Sequence, residues 1–225
     1  MKTLNDYFSK IYYINLDSRP DRYNECLLEF RKMNINVERV SGIDGSKLYM
    51  GSDIKRTSGA HGLLLTHIKI LEDAILNNYK NILILEDDVK FLDIFYEKFN
   101  EKIIYLPDDW DLLCLGGINA FEVGGFKSMT GDKDFIPTME NFKTLDYELC
   151  RTHWTQTTHA IAINSKFYNA LLNKYRENKI NAIDSIICFL QREGNNAYTF
   201  LPSIAIQRPS FSNIENNFVD YSNRF

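Results

Sequence analysis

Apolar residues come along this chain in two alternating rhythms: short unbroken runs rich in β-branched and aromatic side chains, and longer stretches in which apolar positions recur every three or four residues. KIYYINL, Lys10 to Leu16, is the first run and predicts a buried strand. DSRPDRYNECLLEFRKM follows as a helix, with Ser18 placed to cap it, Pro20 in its first turn, and Leu27, Phe30 and Arg31 on later turns. NVERVSGIDG returns as a short strand ending in a turn. TSGAHGLLLTHIKILEDAILNNY then carries Leu64, Ile68, Leu71 and Ile75 at spacings of four, three and four, which predicts one buried helical face.

The rhythm continues to the end of the chain. NILILEDDVKF predicts a strand, LDIFYEKFNEKIIYL a helix, and WDLLCLGG a strand that stops at a glycine pair. THAIAIN is a strand, SKFYNALLNKYREN a helix capped by Ser165, AIDSIICFLQREG a helix closed by Gly194, and AYTFLPSIAIQ a final strand. Strands alternating with helices predict an α/β fold whose mostly parallel central sheet is covered on both faces, with ligands bound at the carboxyl ends of the strands. No repeat, heptad array or low-complexity linker interrupts it, so residues 1–225 read as one domain. Ile118 to Arg151 does not fit the alternation; it reads as a long loop insertion, either an acceptor-side loop or lid or a plain insertion.

One junction raises a chemical question. Four aliphatic residues run directly into Glu86, Asp87 and Asp88. A carboxylate buried without a partner is costly, so these acids need a cation, a donor or water just beyond the apolar part of the strand. A strand running out into a solvated loop would explain them, and so would a metal-nucleotide site. Glu86 and Asp88 are separated by one residue and in an extended segment point the same way, while Asp87 points elsewhere.

Composition narrows the classes. With 44 % hydrophobic and 25 % charged residues the chain has the balance of a soluble globular protein. A net charge of −4 with no basic run gives no footprint for nucleic acid or an anionic membrane. Cys26, Cys114, Cys150 and Cys188 form no C-x-x-C pair, which suits a reducing compartment better than a disulfide scaffold. The N-terminus has no uninterrupted apolar segment of the signal type, and no apolar run approaches the ~20 residues of a membrane span, so a cytoplasmic protein without a transmembrane segment is expected. His61 and His67 lie six apart and are not an i, i+4 metal pair; His67 reads as a core histidine or a donor-site contact, and His159 as structural. A nucleotidyltransferase or phosphotransferase would be expected to carry a glycine-rich phosphate loop, and no G-x-x-x-x-G-K-[ST] occurs.

YINLDSRPDR, SGAHGLLLTHIKILEDAI, ILILEDDV, WDLLCLGG, THAIAINSKFYNALL, IDSII and PSIAIQRPSFSNI stand in the order seen in glycosyltransferase family 25, and the chain resembles that family over nearly its whole length. The family contains lipooligosaccharide galactosyltransferases and collagen-modifying glycosyltransferases. The resemblance implies a GT-A-type, Rossmann-like nucleotide-sugar fold and transfer of galactose or glucose from a UDP-sugar to a hydroxyl of a glycan or hydroxylated protein, as in lipopolysaccharide biosynthesis. It also implies Mn²⁺ or Mg²⁺ as cofactor and, from the β-galactosyltransferases, inversion at the anomeric carbon.

Residue by residue, the resemblance places Asn15, Leu16 and Asp17 at the uridine and makes Arg19 and Arg22 available to ribose or diphosphate. Those arginines could equally solvate the first turn of a helix. Asp44 and Gly45 fall where the family shapes the nucleotide pocket, although a tight turn explains the glycine as well. Glu86 and Asp88 become metal ligands, Asp88 first, with Glu86 and Asp87 also available to the nucleotide-sugar. Asp184 is the candidate base or, alternatively, a helix cap; Glu122, Asp146 and Glu148 stand behind it. Two residues depart from the family pattern: Thr66 where Ser is frequent, and Leu63 where Cys is common. A catalytically inactive sugar- or nucleotide-binding module of the same fold is the alternative function.

Overall fold

The computed structural model describes residues 2–119, 126–129, 134–135, 147–214 and 217–221. In chain order the N-terminal half gives β1 (Lys10–Asn15), α1 (Pro20–Lys32), β2 (Glu38–Ser41), α2 (Ser58–Leu76), β3 (Asn81–Glu86), β4 (Val89–Phe91), α3 (Phe95–Lys102) and β5 (Leu112–Cys114). Then come β6 (Ile118–Asn119), β7 (Phe126–Ser128), β8 (Asp134–Phe135), β9 (Glu148–Arg151), β10 (Thr155–Gln156) and β11 (Ala160–Asn164). The remainder is α4 (Tyr168–Glu177), α5 (Ile183–Arg192), β12 (Ala197–Leu201), β13 (Ala205–Gln207), β14 (Ser210–Ser212) and β15 (Asn217–Val219).

A nine-stranded sheet in the order β2-β1-β3-β11-β5-β12-β9-β7-β8 forms the middle layer. Its central strands β1, β3, β11, β5 and β12 are apolar on both faces because both faces are covered. Ile11, Tyr13, Leu83, Leu85, Leu113, Ala160 and Ala162 pack on one side with Phe30 of α1 and Phe95 and Phe99 of α3. The alternate residues Tyr12, Ile14, Ile82, Ile84, Leu112, Ile161 and Ile163 pack on the other with Leu64 and Leu71 of α2, Leu171 of α4 and Ile187 of α5. Period-two alternation thus divides two apolar sets rather than an apolar from a polar one.

The expected α/β architecture, a large central sheet covered by helices on both faces, is present. β1 pairs in parallel with β2 and β3, and β5 with β12. Three strands run against the majority: β11, inserted antiparallel between β3 and β5, and β9 and β8 toward one edge. An apolar run records that a strand is buried on both faces but not its direction.

Several local expectations need correction. Arg19, not Ser18, precedes α1, and it makes no side-chain cap; Pro20 at the first helical position supplies the start. The stretch after β11 opens with a 3-10 turn, Ser165–Phe167, capped by Asn164, whose side chain accepts from the Lys166 amide. On α2 the buried line runs through Ala60, Leu64, His67, Leu71 and Ala74, leaving Ile68 and Ile75 half-buried beside it. The final apolar run splits at Pro202 into β12 in the large sheet and β13, which pairs antiparallel with β4. Within 118–151, expected as a loop, β7, β8 and β9 extend the sheet. The closing of α5 agrees with expectation, since Gly194 has φ +94°, a conformation that glycine adopts readily. No helix among the described residues is long and apolar enough to cross a membrane.

Candidate active site

Parallel pairing brings two strand ends together. Ile14 stands beside Glu86, so β1 and β3 deliver Asn15 and the acids to the same edge of the sheet. A cleft of about 840 Å³ opens there, a volume in the range of small-molecule sites. Its walls come from the 42–46 turn, the first residues of α2 and α5, the 156–158 segment, Gln207, and the hairpin of β14 and β15.

The acids are partly neutralised by this chain itself. Asp87 accepts from Arg22 Nη1 at 2.5 Å through one oxygen and from Asn15 Nδ2 at 2.8 Å through the other. The same Arg22 nitrogen lies 3.5 Å from Asp88 Oδ2, while Arg22 Nη2 donates to Ser210 Oγ and the Phe211 carbonyl at 2.6 and 3.0 Å. Arg208 donates from its backbone to the Asp88 carbonyl and from its side chain to the Asp87 carbonyl. Thr158 Oγ1 donates to Glu86 Oε1 at 2.7 Å.

What remains is unbalanced. Asp88 is 8 % exposed, and its Oδ1 is buried without a hydrogen-bond partner. Burial, and then the neighbouring Asp88 charge, push the Glu86 carboxyl above its usual range; burial also raises Asp88, with Arg22 pulling it back. Two coupled carboxylates in one desolvated place are relieved by a cation. The donors are hard oxygens of the kind Mg²⁺ or Mn²⁺ takes. No group of three or more His, Cys, Asp or Glu residues able to hold a metal ion occurs among the described residues, so Glu86 and Asp88 would supply only part of a cation's shell.

The residues singled out from the sequence divide. Leu16, Asp44 and Asp184 line the cleft with the three acids. Asn15 also lines it, but its side chain is committed to Asp87, the Arg19 carbonyl and Arg39. Arg22 lines it as the counter-ion of Asp87 and Asp88, not as a free guanidinium. Asp17 and Arg19 are not among the lining residues: Asp17 pairs with Arg39 at 2.6 Å, and Arg19 is occupied by Asp21, the Phe211 carbonyl and Asn213. His67 is fully buried off the cleft, edge-on to Tyr175, and desolvation lowers its pKa to about 3. Glu148 on β9 pairs with Lys102, away from the cleft; Glu122 and Asp146 lie outside the described residues.

Asp44 accepts from the Ser46 hydroxyl and backbone, which together with Lys47 at 3.2 Å hold its carboxyl below the usual range. The turn that carries it is pressed onto α2. A Cβ on Gly45 would stand 1.8 Å from the Ser58 carbonyl oxygen, so close approach of the helix, more than a tight turn, explains that glycine. Thr66 pins the same turn, accepting from the Ile43 amide at 2.9 Å while donating to the Gly62 carbonyl at 2.8 Å.

Thr158 and Gln207 also line this site, and Ser210 holds Arg22 beside it; none of the three was picked out from the sequence. Thr158 follows Thr157, a β-branched residue held at φ +78°. His159 fixes that segment: Nε2 donates to the Ala205 carbonyl, leaving Nδ1 to accept from the Thr157 hydroxyl. The unusual density of threonine in WTQTTHA was the available signal.

Fold and cleft together define an α/β protein that presents carboxylates to a ligand at the ends of parallel strands. The chain belongs to glycosyltransferase family 25: the family described as glycosyltransferase family 25 (LPS biosynthesis protein) matches residues 8–170. Among curated relatives, a glycosyltransferase 25 family member of Aedes aegypti is 28 % identical over 162 residues, 62 % of this chain and 26 % of that protein. Human procollagen galactosyltransferase 2 is 27 % identical over 172 residues, covering 66 % and 25 %. A mouse protein named inactive glycosyltransferase 25 family member 3 is 28 % identical over 129 residues, covering 48 % and 22 %. The matches span about a quarter of each of these relatives.

Proposed function

We propose that the chain transfers galactose or glucose from a UDP-sugar to a hydroxyl of a glycan or hydroxylated protein, with Mn²⁺ or Mg²⁺ and inversion at the anomeric carbon. One observation carries the reading: a buried Asp88 with an unpartnered oxygen in a nucleotide-sized cleft that Glu86 also lines, in a family 25 chain. Held by Glu86 and Asp88, the cation would neutralise charge on the leaving diphosphate. Leu16 and the turn bearing Asp44 would form the nucleoside wall. Asp184 would take the proton as the acceptor oxygen bonds to the anomeric carbon and the bond to the diphosphate breaks.

Asp184 is suited to this by position. It is the second residue of α5, lines the cleft, and accepts from the Ser185 amide at 2.8 Å; Ala182 holds the N-cap position, so Asp184 is not the cap. Asp184→Asn keeps an oxygen acceptor for Ser185 but lacks a basic carboxylate. Its turnover should fall by about 10²-fold or more, with melting temperature and UDP affinity retained. Turnover near wild type would remove Asp184 from the reaction.

The donor is tested by thermal shift. With Mn²⁺ present, UDP at about 100 times its Kd should stabilise the chain by ~2.7 kcal/mol, and GDP and ADP by clearly less. Equal shifts for the three nucleotides would reject a uracil site. The mouse relative named inactive motivates a second reading, a binding module without turnover. Such a module would show the UDP shift yet release no UDP from UDP-galactose or UDP-glucose.

A further inference from the structure

The geometry points to Gln207 as a further protein ligand of the divalent cation, supplying its side-chain oxygen beside Asp88. This rests on the cation reading of the same cleft and adds a residue from a distant part of the chain.

Three observations converge. The pairing of β13 with β4 sets Gln207 opposite Val89, and the next residue, Arg208, donates its amide to the Asp88 carbonyl at 2.8 Å. Gln207 is thereby anchored to the strand that follows the acids. Gln207 and Asp88 both line the cleft. Gln207 Oε1 is buried without a hydrogen-bond partner.

Asp88 Oδ1 is orphaned in the same way, on a residue only 8 % exposed. A buried polar atom left unsatisfied costs about 1–3 kcal/mol, and two of them on neighbouring residues at one cleft wall call for a shared partner. That partner must be positive, or a donor to both. Arg22 does not serve, since its two terminal nitrogens are already used on Asp87, Ser210 and the Phe211 carbonyl, with Asp88 Oδ2 at the long distance of 3.5 Å. A hard divalent ion takes neutral amide oxygens as well as carboxylates, more weakly, and an amide adds a ligand without adding charge to a place where Glu86 and Asp88 already crowd each other.

The test is binding of Mn²⁺ chloride alone, titrated into the millimolar range and read from the electron paramagnetic resonance signal of the free ion. Melting temperature is measured with and without the metal. Gln207→Leu should keep the metal-free melting temperature near wild type and raise the Mn²⁺ dissociation constant by roughly 10-fold or more. Gln207→Glu keeps an oxygen but loses the N–H. It should bind Mn²⁺ at least as tightly as wild type and gain more in melting temperature on adding the metal, because the added charge is relieved only then. Should Gln207→Leu fail to fold, Gln207→Glu decides alone. Equal weakening in both variants would mean that the amide N–H, and not the oxygen, matters and would overturn the ligand assignment. Unchanged Mn²⁺ affinity in Gln207→Leu would overturn it too, including when UDP binding falls, which would give the oxygen to the nucleotide. If the wild-type chain itself bound no Mn²⁺, the cation reading would fall, and this inference with it.

Discussion

Asp88→Asn should leave the fold standing and reduce sugar transfer by about 10²–10³-fold. The amide has the shape of the carboxylate. The oxygen it replaces on one side has no partner, and on the other its contact with Arg22 is 3.5 Å, longer than the 2.5 Å contact Arg22 makes with Asp87. Little native bonding is therefore lost. What is lost is a negative charge at the cation site and, with it, neutralisation of the departing diphosphate. UDP released from the sugar donor, with and without acceptor, measures the effect, and the variant should also need more Mn²⁺ to reach half its maximal rate. Full activity of Asp88→Asn in the presence of chelator would sink the metal-assisted reading.

Arg22→Met acts on folding instead. Arg22 and Asp87 have side chains only 11 % and 10 % exposed, so removing the guanidinium strands a buried carboxylate that retains only the Asn15 amide. Breaking one side of such a pair costs about 3–5 kcal/mol, far more than an exposed ion pair would. Urea unfolding should show this as a lowered midpoint at unchanged slope. Adding Asp87→Asn to the variant should recover a large part of the loss, because the stranded charge is then gone. A cost below about 1 kcal/mol would mean that water reaches the pair and that Arg22 is free for a phosphate after all.

The contrast between Asp17 or Arg19 and Asp88 shows which parts of this site are legible in a sequence. Asp88 was legible because three acids ending an aliphatic run conflict with burial, and the conflict has few physical solutions. Arg22 was visible as a residue suited to phosphate, yet its partner depends on which strand ends lie side by side, and Asp87 is 65 positions away. Asp17 and Arg19 sit in the same motif but turn toward Arg39 and Asp21. Gln207 carried no local signal at all, since a glutamine in a polar stretch is unremarkable until β13 docks on β4.

The same division holds for the fold. Alternating strands and helices could be read because strands apolar on both faces differ from amphipathic helices in period. Strand direction could not, because β11 has the same run of small and β-branched residues whether it points with its neighbours or against them. The helical face of α2 was displaced because Ala60 and Ala74 allow closer packing than Ile68 and Ile75, so small residues took the centre of the stripe.

The clasp made by Arg22 has a consequence for synthesis. Its carboxylate partners come 65 and 66 residues after it, but Ser210 and Phe211, which hold its other nitrogen, come 188 and 189 residues after it. Arg208, which steadies the turn of the acids, is nearly as late. At the usual pace of translation, about 5–20 residues per second, a nascent chain carries its acidic cluster for several seconds before the last strands arrive to hold it. In that interval Arg22 and Asn15 are already made and can hold Asp87, so the clasp closes in two stages, the carboxylate first and the C-terminal strands last.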